Sequence, residues 1–218
     1  MQSVLLTDAE LDHTLGLLLM REGAGVDVHA TDSVRETLTT GTGVLRTLEA
    51  YCPVVWQQVV PGSETPLGEQ LSYHAFEAPT DKAARFPGTP VRGRVVGYSI
   101  TDVRRGRSLV YLPCMQQLTP AILRELSSSS AVLLDGTCWQ DDELPSLGRS
   151  SKTSRAMGHL PIAGPGGSLD QLATLDVSRK TYIHVNNTNP ILLDDSPERQ
   201  VLAHRGVDVA WDGLEFEI

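Results

Sequence analysis

Short apolar runs rich in Val, Leu and Ile alternate along this chain with amphipathic stretches. That pattern predicts an α/β layered domain rather than a helical bundle or an all-β sandwich. Strands are predicted at Val4–Thr7, Val26–Ala30, Val54–Val60, Leu71–Ala78, Val95–Asp102, Ser108–Leu112, Ala131–Asp135, Lys180–Val185 and Val207–Val209. Helices are predicted at Thr14–Arg21, stopped by Gly23, and at Ser33–Thr40, with Thr31 or Asp32 as N-cap and Gly41 at the far end. Further helices are expected at Val44–Tyr51, Thr119–Leu126 with Pro120 in the first turn, Ser168–Leu175 and Pro197–Arg205. Ala78–Gly93, Gln140–Gly167 and Asn186–Ser196 carry no regular pattern, and long irregular stretches in a compact domain are usually functional or disordered.

The length of 218 residues, 40% of them hydrophobic, is enough for one well-buried core or at most two small ones, and a single domain over residues 1–218 is expected. Eighteen Lys and Arg against 27 Asp and Glu leave a net charge of -9, which opposes binding to nucleic acid or anionic lipid. The longest apolar runs, such as Leu15–Met20, fall far short of the roughly 20 residues of a membrane helix, so neither a membrane span nor a signal peptide is predicted. Three cysteines, Cys52, Cys114 and Cys138, form no close pair and suggest reduced thiols in a cytoplasmic protein. No internal repeat is present. Gly164-Pro165-Gly166-Gly167 has the wrong spacing for a nucleotide-binding fingerprint.

Three predicted strands end in residues of metal-ligand type, and strand ends are where α/β sheets build their sites. Val4–Thr7 runs into Asp8-Ala9-Glu10-Leu11-Asp12-His13; Ala131–Leu134 ends at Asp135 and turns at Gly136; Thr181–Val185 contains His184 and leads into Asn186-Asn187-Thr188-Asn189. Asp12, His13, Asp135 and His184 converge if these strands are neighbours. Each has an ordinary alternative: a helix cap for Asp12, a turn aspartate for Asp135, a hydrogen-bonded core histidine for His184.

The segments Leu5–Leu18, Leu133-Leu134-Asp135-Gly136-Thr137, Met157-Gly158-His159-Leu160, Gly164–Gly167 and Ile183-His184-Val185-Asn186-Asn187-Thr188-Asn189-Pro190-Ile191-Leu192 together resemble the pyrroloquinoline quinone (PQQ) biosynthesis protein B family, PqqB. Asp194–Arg199 and Val209–Gly213 extend the resemblance over nearly the whole chain. The resemblance implies a metallo-β-lactamase-like αββα sandwich. In that superfamily's ligand pattern, Asp8 and Glu10 stand where two leading histidines belong, leaving them as additional ligands or supports of the site. Asp12 and His13 are kept, Asp135 falls on the bridging aspartate and His184 on the final histidine. His159 falls where related nucleases keep a catalytic histidine that is not a ligand. A further ligand histidine is missing from Glu77–Lys82, for which His74 is a weak substitute.

The implied centre therefore holds one metal on Asp12, His13, Asp135 and His184. That set is close to the two-histidine, one-carboxylate ligation of non-haem iron, so Fe(II) is expected, with zinc or manganese also compatible. The resemblance implies an O2-dependent hydroxylase acting on the tyrosine ring of the glutamate-tyrosine precursor of the quinone. His159 would move protons, and Asn186 and Asn187 would bind substrate or fix His184, unless they simply build a turn. A non-catalytic carrier of the quinone or its precursor is the alternative, and a zinc hydrolase the third reading. Other proteins of the same biosynthesis are expected partners. Lys152 and Arg155 form a basic pair that would attract an acidic precursor or merely face solvent. Members of the resembling family carry a further segment before Val4; its absence here implies either a fragment or misplaced start, or an uncovered sheet edge and apolar face that a homodimer would cover.

Overall fold

The computed structural model describes residues 2–218. The chain divides into two compact units. The first comprises the described residues up to Ser63 together with Ala83–Val96. It holds strands β1 (Gln2–Leu5), β2 (Val26–Ala30) and β3 (Val54–Gln58), with helices α1 (Leu11–Thr14), α2 (Asp32–Glu36) and α3 (Val44–Glu49) in the connections. The three strands are parallel in the order β1-β2-β3. Val26, Val28 and Ala30 of β2 are buried with Val34, Leu38, Leu45 and Leu48 from the helical side. Along β2 these apolar residues alternate with Asp27 and His29, the period-2 pattern that puts Val26, Val28 and Ala30 on one face.

Two of the helical stretches of this unit differ from the regular helices predicted. Leu11–Thr14 is α-helical, but Leu15–Met20 winds as a 3-10 helix. Thr14 donates its hydroxyl back to the Glu10 carbonyl (2.9 Å), a bond that competes with regular continuation of the helix. The second helix begins as expected, with the Thr31 side chain accepting from the Val34 amide. It then widens at Thr37–Gly41, where the Thr42 amide reaches back to the Thr37 carbonyl (2.8 Å). The threonines of this stretch are weak helix formers, and Thr37 and Thr40 bond back to the carbonyls of Ser33 and Glu36. Gly41 ends the turn under the Phe86 ring, where a Cβ would lie 2.7 Å from ring carbons. The irregular stretch is tied down there too, by Thr31 to Gly93 O (2.6 Å) and Ser33 to Pro90 O (2.8 Å).

The second unit, Glu64–Lys82 with Gly97–Ile218, is built on a seven-stranded sheet. Its strands are β4 (Glu64–Leu67), β5 (Leu71–Glu77), β6 (Val96–Asp102), β7 (Arg107–Leu112), β8 (Ala131–Asp135), β9 (Arg179–Ile183) and β10 (Asp208–Val209), in spatial order β10-β9-β8-β7-β6-β5-β4. Its helices are α4 (Pro120–Ser127), α5 (Glu143–Ser146), α6 (Ser154–Met157), α7 (Ser168–Thr174) and α8 (Pro197–His204). β7, β8, β9 and β10 are mutually parallel and joined through helices, whereas β4 with β5 and β6 with β7 pair antiparallel. Thr119 and Ser196 cap α4 and α8, each followed by a proline in the first turn. Tyr73 and Tyr98 meet edge to face in the core at 5.5 Å.

β4 has no counterpart among the predicted strands. Its Pro66 reads as a strand breaker, yet β4 lies at the sheet edge, where a missing amide is tolerated. The loop Gln140–Gly167, predicted irregular, contains the short helices α5 and α6. The expectation that all three ligand-bearing strands are neighbours holds only for β8 and β9; β1 pairs with β2 in the other sheet. Cys52, Cys114 and Cys138 are buried, and none forms a disulfide. No helix among the described residues is long and apolar enough to cross a membrane.

Gly97 of β6 faces Phe76, whose Cζ would lie 2.3 Å from a Cβ, with Leu112 Cδ1 at 3.0 Å. Gly97→Ala is expected to destabilise the protein by about 1–3 kcal/mol through this overpacking, measured by urea denaturation.

Candidate metal centre

In the first unit the acidic segment after β1 folds around Asp8. This carboxylate is buried and accepts from the Thr7 hydroxyl (2.9 Å), the Glu10 amide (3.0 Å) and His13 Nδ1 (2.8 and 2.9 Å to its two oxygens). Burial on its own would raise the Asp8 pKa, but the hydrogen bond and charge of His13 outweigh it and the carboxyl is held below its ordinary value. The hydrogen bond that His13 donates to Asp8 in turn raises the His13 pKa, against the opposing effect of burial. Asp8 therefore serves as the oriented partner of His13 Nδ1. Glu10 pairs with Arg85 (3.0 Å). Asp12 lies within the first turn of α1, not at its cap, with its side chain 75% exposed and Oδ2 3.6 Å from His13 Nε2.

In the second unit the site grows from the parallel pairing of β8 with β9. Asp135, the last residue of β8, is in register with Ile183, the last of β9, which sets His184 beside it. Gly136 permits the turn: its amide bonds to Ile183 O (2.8 Å), and a Cβ there would lie 2.9 Å from Tyr182 Cβ. His184, read from the sequence as part of the strand Lys180–Val185, lies beyond the end of β9, with φ of 54°, the one non-glycine residue with positive φ among those described. Such a backbone costs a β-carbon-bearing residue about 1–2 kcal/mol and is retained where the surroundings over-determine it. His159 arrives from the irregular loop. Thr153 caps α6, Gly158 turns left-handed after it, and the His159 amide closes onto Ser154 O (3.0 Å).

These residues converge on the fully buried carboxylate of Asp135. Its Oδ1 accepts from the Thr137 amide (3.0 Å) and hydroxyl (2.6 Å); its Oδ2 accepts from the Met115 amide (2.9 Å) and His159 Nδ1 (2.7 Å). His184 Nδ1 is 2.8 Å from the Thr137 hydroxyl and 3.6 Å from Asp135 Oδ1. The two imidazoles stack at 5.2 Å. Burial by itself would push Asp135 up, but the charges and hydrogen bonds of His159 and His184 prevail and hold it at about 2.

The donor set fits a first-row divalent metal. Asp135, His159 and His184 each offer a ligand atom, all within 4.8 Å of one another. Both imidazoles engage their Nδ1 atoms with the protein, the arrangement in which Nε2 keeps the lone pair that a metal or a proton takes.

Asn186 and Asn187 occupy a turn. Asn186 Nδ2 donates to Thr188 (2.6 Å), whose hydroxyl donates to Glu143 (2.6 Å), while Asn187 is exposed. His74 pairs with Glu125 (2.9 Å). Arg155 clamps the glycine-rich loop through the carbonyls of Pro165 and Gly166, and Lys152 is exposed. Sequence reading missed Thr137 and Asn189. Asn189 is buried and donates to Gly136 O (2.9 Å) while capping the Ile191 amide (3.1 Å), so it ties the loop of His184 to that of Asp135. The signal for Thr137 was its spacing, a hydroxyl two residues after a strand-ending acid.

Residues 1–185 match the family model of the beta-lactamase superfamily domain. Coenzyme PQQ synthesis protein B of Azoarcus sp. strain BH72 is 43% identical over 231 residues, taking in 100% of this chain and 73% of that protein. The protein of the same name from Methylococcus capsulatus is 37% identical over 98% of this chain and 72% of its own length. The crystal structure of Zn(2+)-bound PqqB from Methylobacterium extorquens matches with a TM-score of 0.89 and 30% identity, covering 100% of this chain and 73% of that one.

Two predictions follow from the geometry. At the left-handed position 184, His184→Gly is expected to be about 1 kcal/mol more stable than His184→Ala in denaturant titrations, the reverse of their order on ordinary backbone. Because the Asp135 carboxyl is depressed, its stabilisation is present above the ordinary carboxylate range and disappears as pH falls towards 2. The metal-free protein is expected to lose about 2 kcal/mol between pH 4 and pH 2 by this route, and Asp135→Asn to lose less over the same interval.

Proposed function

The chain belongs to the beta-lactamase superfamily and, within it, to the coenzyme PQQ synthesis protein B family, and on that premise we propose that it acts in PQQ biosynthesis as a metal-dependent hydroxylase. The substrate is the glutamate-tyrosine-derived precursor, and oxygen is added to its tyrosine ring. The observation that carries this reading is the pair of imidazoles, His159 and His184, set on one buried carboxylate with both Nδ1 atoms engaged.

In this reading His184 and Asp135 would be the metal's ligands from this unit, and His159, the third donor of the cluster, would stay off the metal. Fe(II) there supplies activation of dioxygen, chemistry that side chains alone cannot perform. His159 handles the proton of the phenol: its Nδ1–H is anchored on Asp135 Oδ2, so Nε2 is the atom that accepts and returns a proton. Asp135 Oδ2, held in place by the Met115 amide, keeps the imidazole from turning while it does so. Asn186, bonded to Thr188, stiffens the tract after His184, and Asn187 is the exposed amide that reaches the amino-acid groups of the precursor. The protein works in the cytoplasm beside the other enzymes of the same biosynthesis. Zinc competes for the same donors, in keeping with the zinc-bound relative.

The test is anaerobic reconstitution with Fe(II), followed by oxygen uptake on adding a glutamate-tyrosine substrate. Wild type is expected to hold about one iron and to consume oxygen. His184→Ala should lose both, and His159→Ala should keep the iron while losing about 100-fold or more in turnover. Iron-free, folded wild type would remove the hydroxylase reading. Tight binding of the quinone by such a protein would favour a carrier.

A further inference from the structure

We propose that Thr137 is a positioning residue that fixes the protonation tautomer of His184, so that its Nδ1 carries the proton and its Nε2 the lone pair. A threonine hydroxyl has one proton and two lone pairs. Around Thr137 Oγ1 stand Asp135 Oδ1 at 2.6 Å, His184 Nδ1 at 2.8 Å, His159 Nδ1 at 3.1 Å and the His184 carbonyl at 3.2 Å. The carboxylate is the strongest acceptor and the nearest, so it takes the hydroxyl proton. What remains on the oxygen is acceptor capacity, and the imidazole nitrogen at 2.8 Å must then donate. With the proton on Nε2 instead, the lone pair of Nδ1 would face both the hydroxyl oxygen and, at 3.6 Å, the Asp135 carboxylate. Neutral histidine in water prefers that opposite tautomer, so the protein must impose this one.

The residue is built to do so. Thr137 is buried, its amide donates to Asp135 Oδ1 (3.0 Å), and its carbonyl accepts from the Asn186 amide (3.0 Å). It is thus held on the strand-β8 side by the carboxylate and on the strand-β9 side by the tract that carries His184. The His159 tautomer is set separately, by donation of its Nδ1 to Asp135 Oδ2. One buried carboxylate therefore orients one imidazole directly and the other through a hydroxyl relay. The functional consequence rests on the metal-centre reading above, whereas the tautomer is a property of the metal-free chain.

The experiment is nitrogen-15 long-range imidazole NMR on the full, metal-free chain at about pH 8.5. His159→Gln and His184→Gln assign the signals. Wild type and Thr137→Ser are expected to show His184 protonated at Nδ1; Thr137→Val, which keeps the shape and removes the hydroxyl, should move the proton to Nε2 or give a mixture. In parallel, zinc affinity measured against a chelator is expected to fall about 10–100-fold in Thr137→Val and to recover to within a few-fold in Thr137→Ser. Thr137→Ala replaces the valine variant if that one does not fold. Wild type with His184 protonated at Nε2, or a hydroxyl-free variant with an unchanged tautomer, overturns the proposal. A switched tautomer with unchanged zinc affinity supports the assignment of Thr137 and overturns the metal-centre reading instead.

Discussion

The second unit is organised around one charge that water cannot reach. Asp135 lies at the end of a central strand with no exposed surface, and an isolated carboxylate there would be strongly unfavourable. It persists because donors converge on it from separate parts of the chain: the Met115 amide after β7, Thr137 in the turn after β8, and His159 from the loop before α7. Those segments are held in place by satisfying the carboxylate, and the carboxylate stays ionised because they do. The site and the local fold are consequences of the same set of hydrogen bonds.

The first unit repeats the device on a smaller scale. Asp8 is buried, gathers Thr7, Glu10 and His13, and leaves His13 with a fixed ring orientation. Each unit thus contains a buried acid that controls an imidazole. The acid at position 8 acts as a support for the neighbouring histidine.

Much of this was legible in the sequence because strands and caps are local. β2 and β8 have the boundaries read from their apolar runs, and Thr31, one of the two caps read for its helix, is the residue that caps it. β4 was hidden by Pro66, which is forbidden only in the interior of a sheet, and edge or interior is a tertiary property. The threonine-rich helix ends were hidden for a related reason, since back-bonding hydroxyls shift the winding without altering the apolar period. At the site, the ionisable residues announced themselves by type, and the proximity of Asp135 to His184 followed from parallel strand ends. Thr137 and Asn189 did not, because a hydroxyl and an amide are ordinary in turns. Their roles arise only when two loops distant in sequence are laid against each other.

The pairing of β8 with β9 also bears on the order of events as the chain matures. The residues that make the site are spread from Met115 to His184, and the register Asp135 to Ile183 exists only once the last central strand has docked in parallel beside its neighbour. Parallel docking across a long crossover is a late, non-local step. A chain still emerging from the ribosome therefore has no preformed chelate to offer to whichever ion is most abundant. On the metal-centre reading proposed above, the choice of ion would fall to the finished loops, whose rigidity can take part in it.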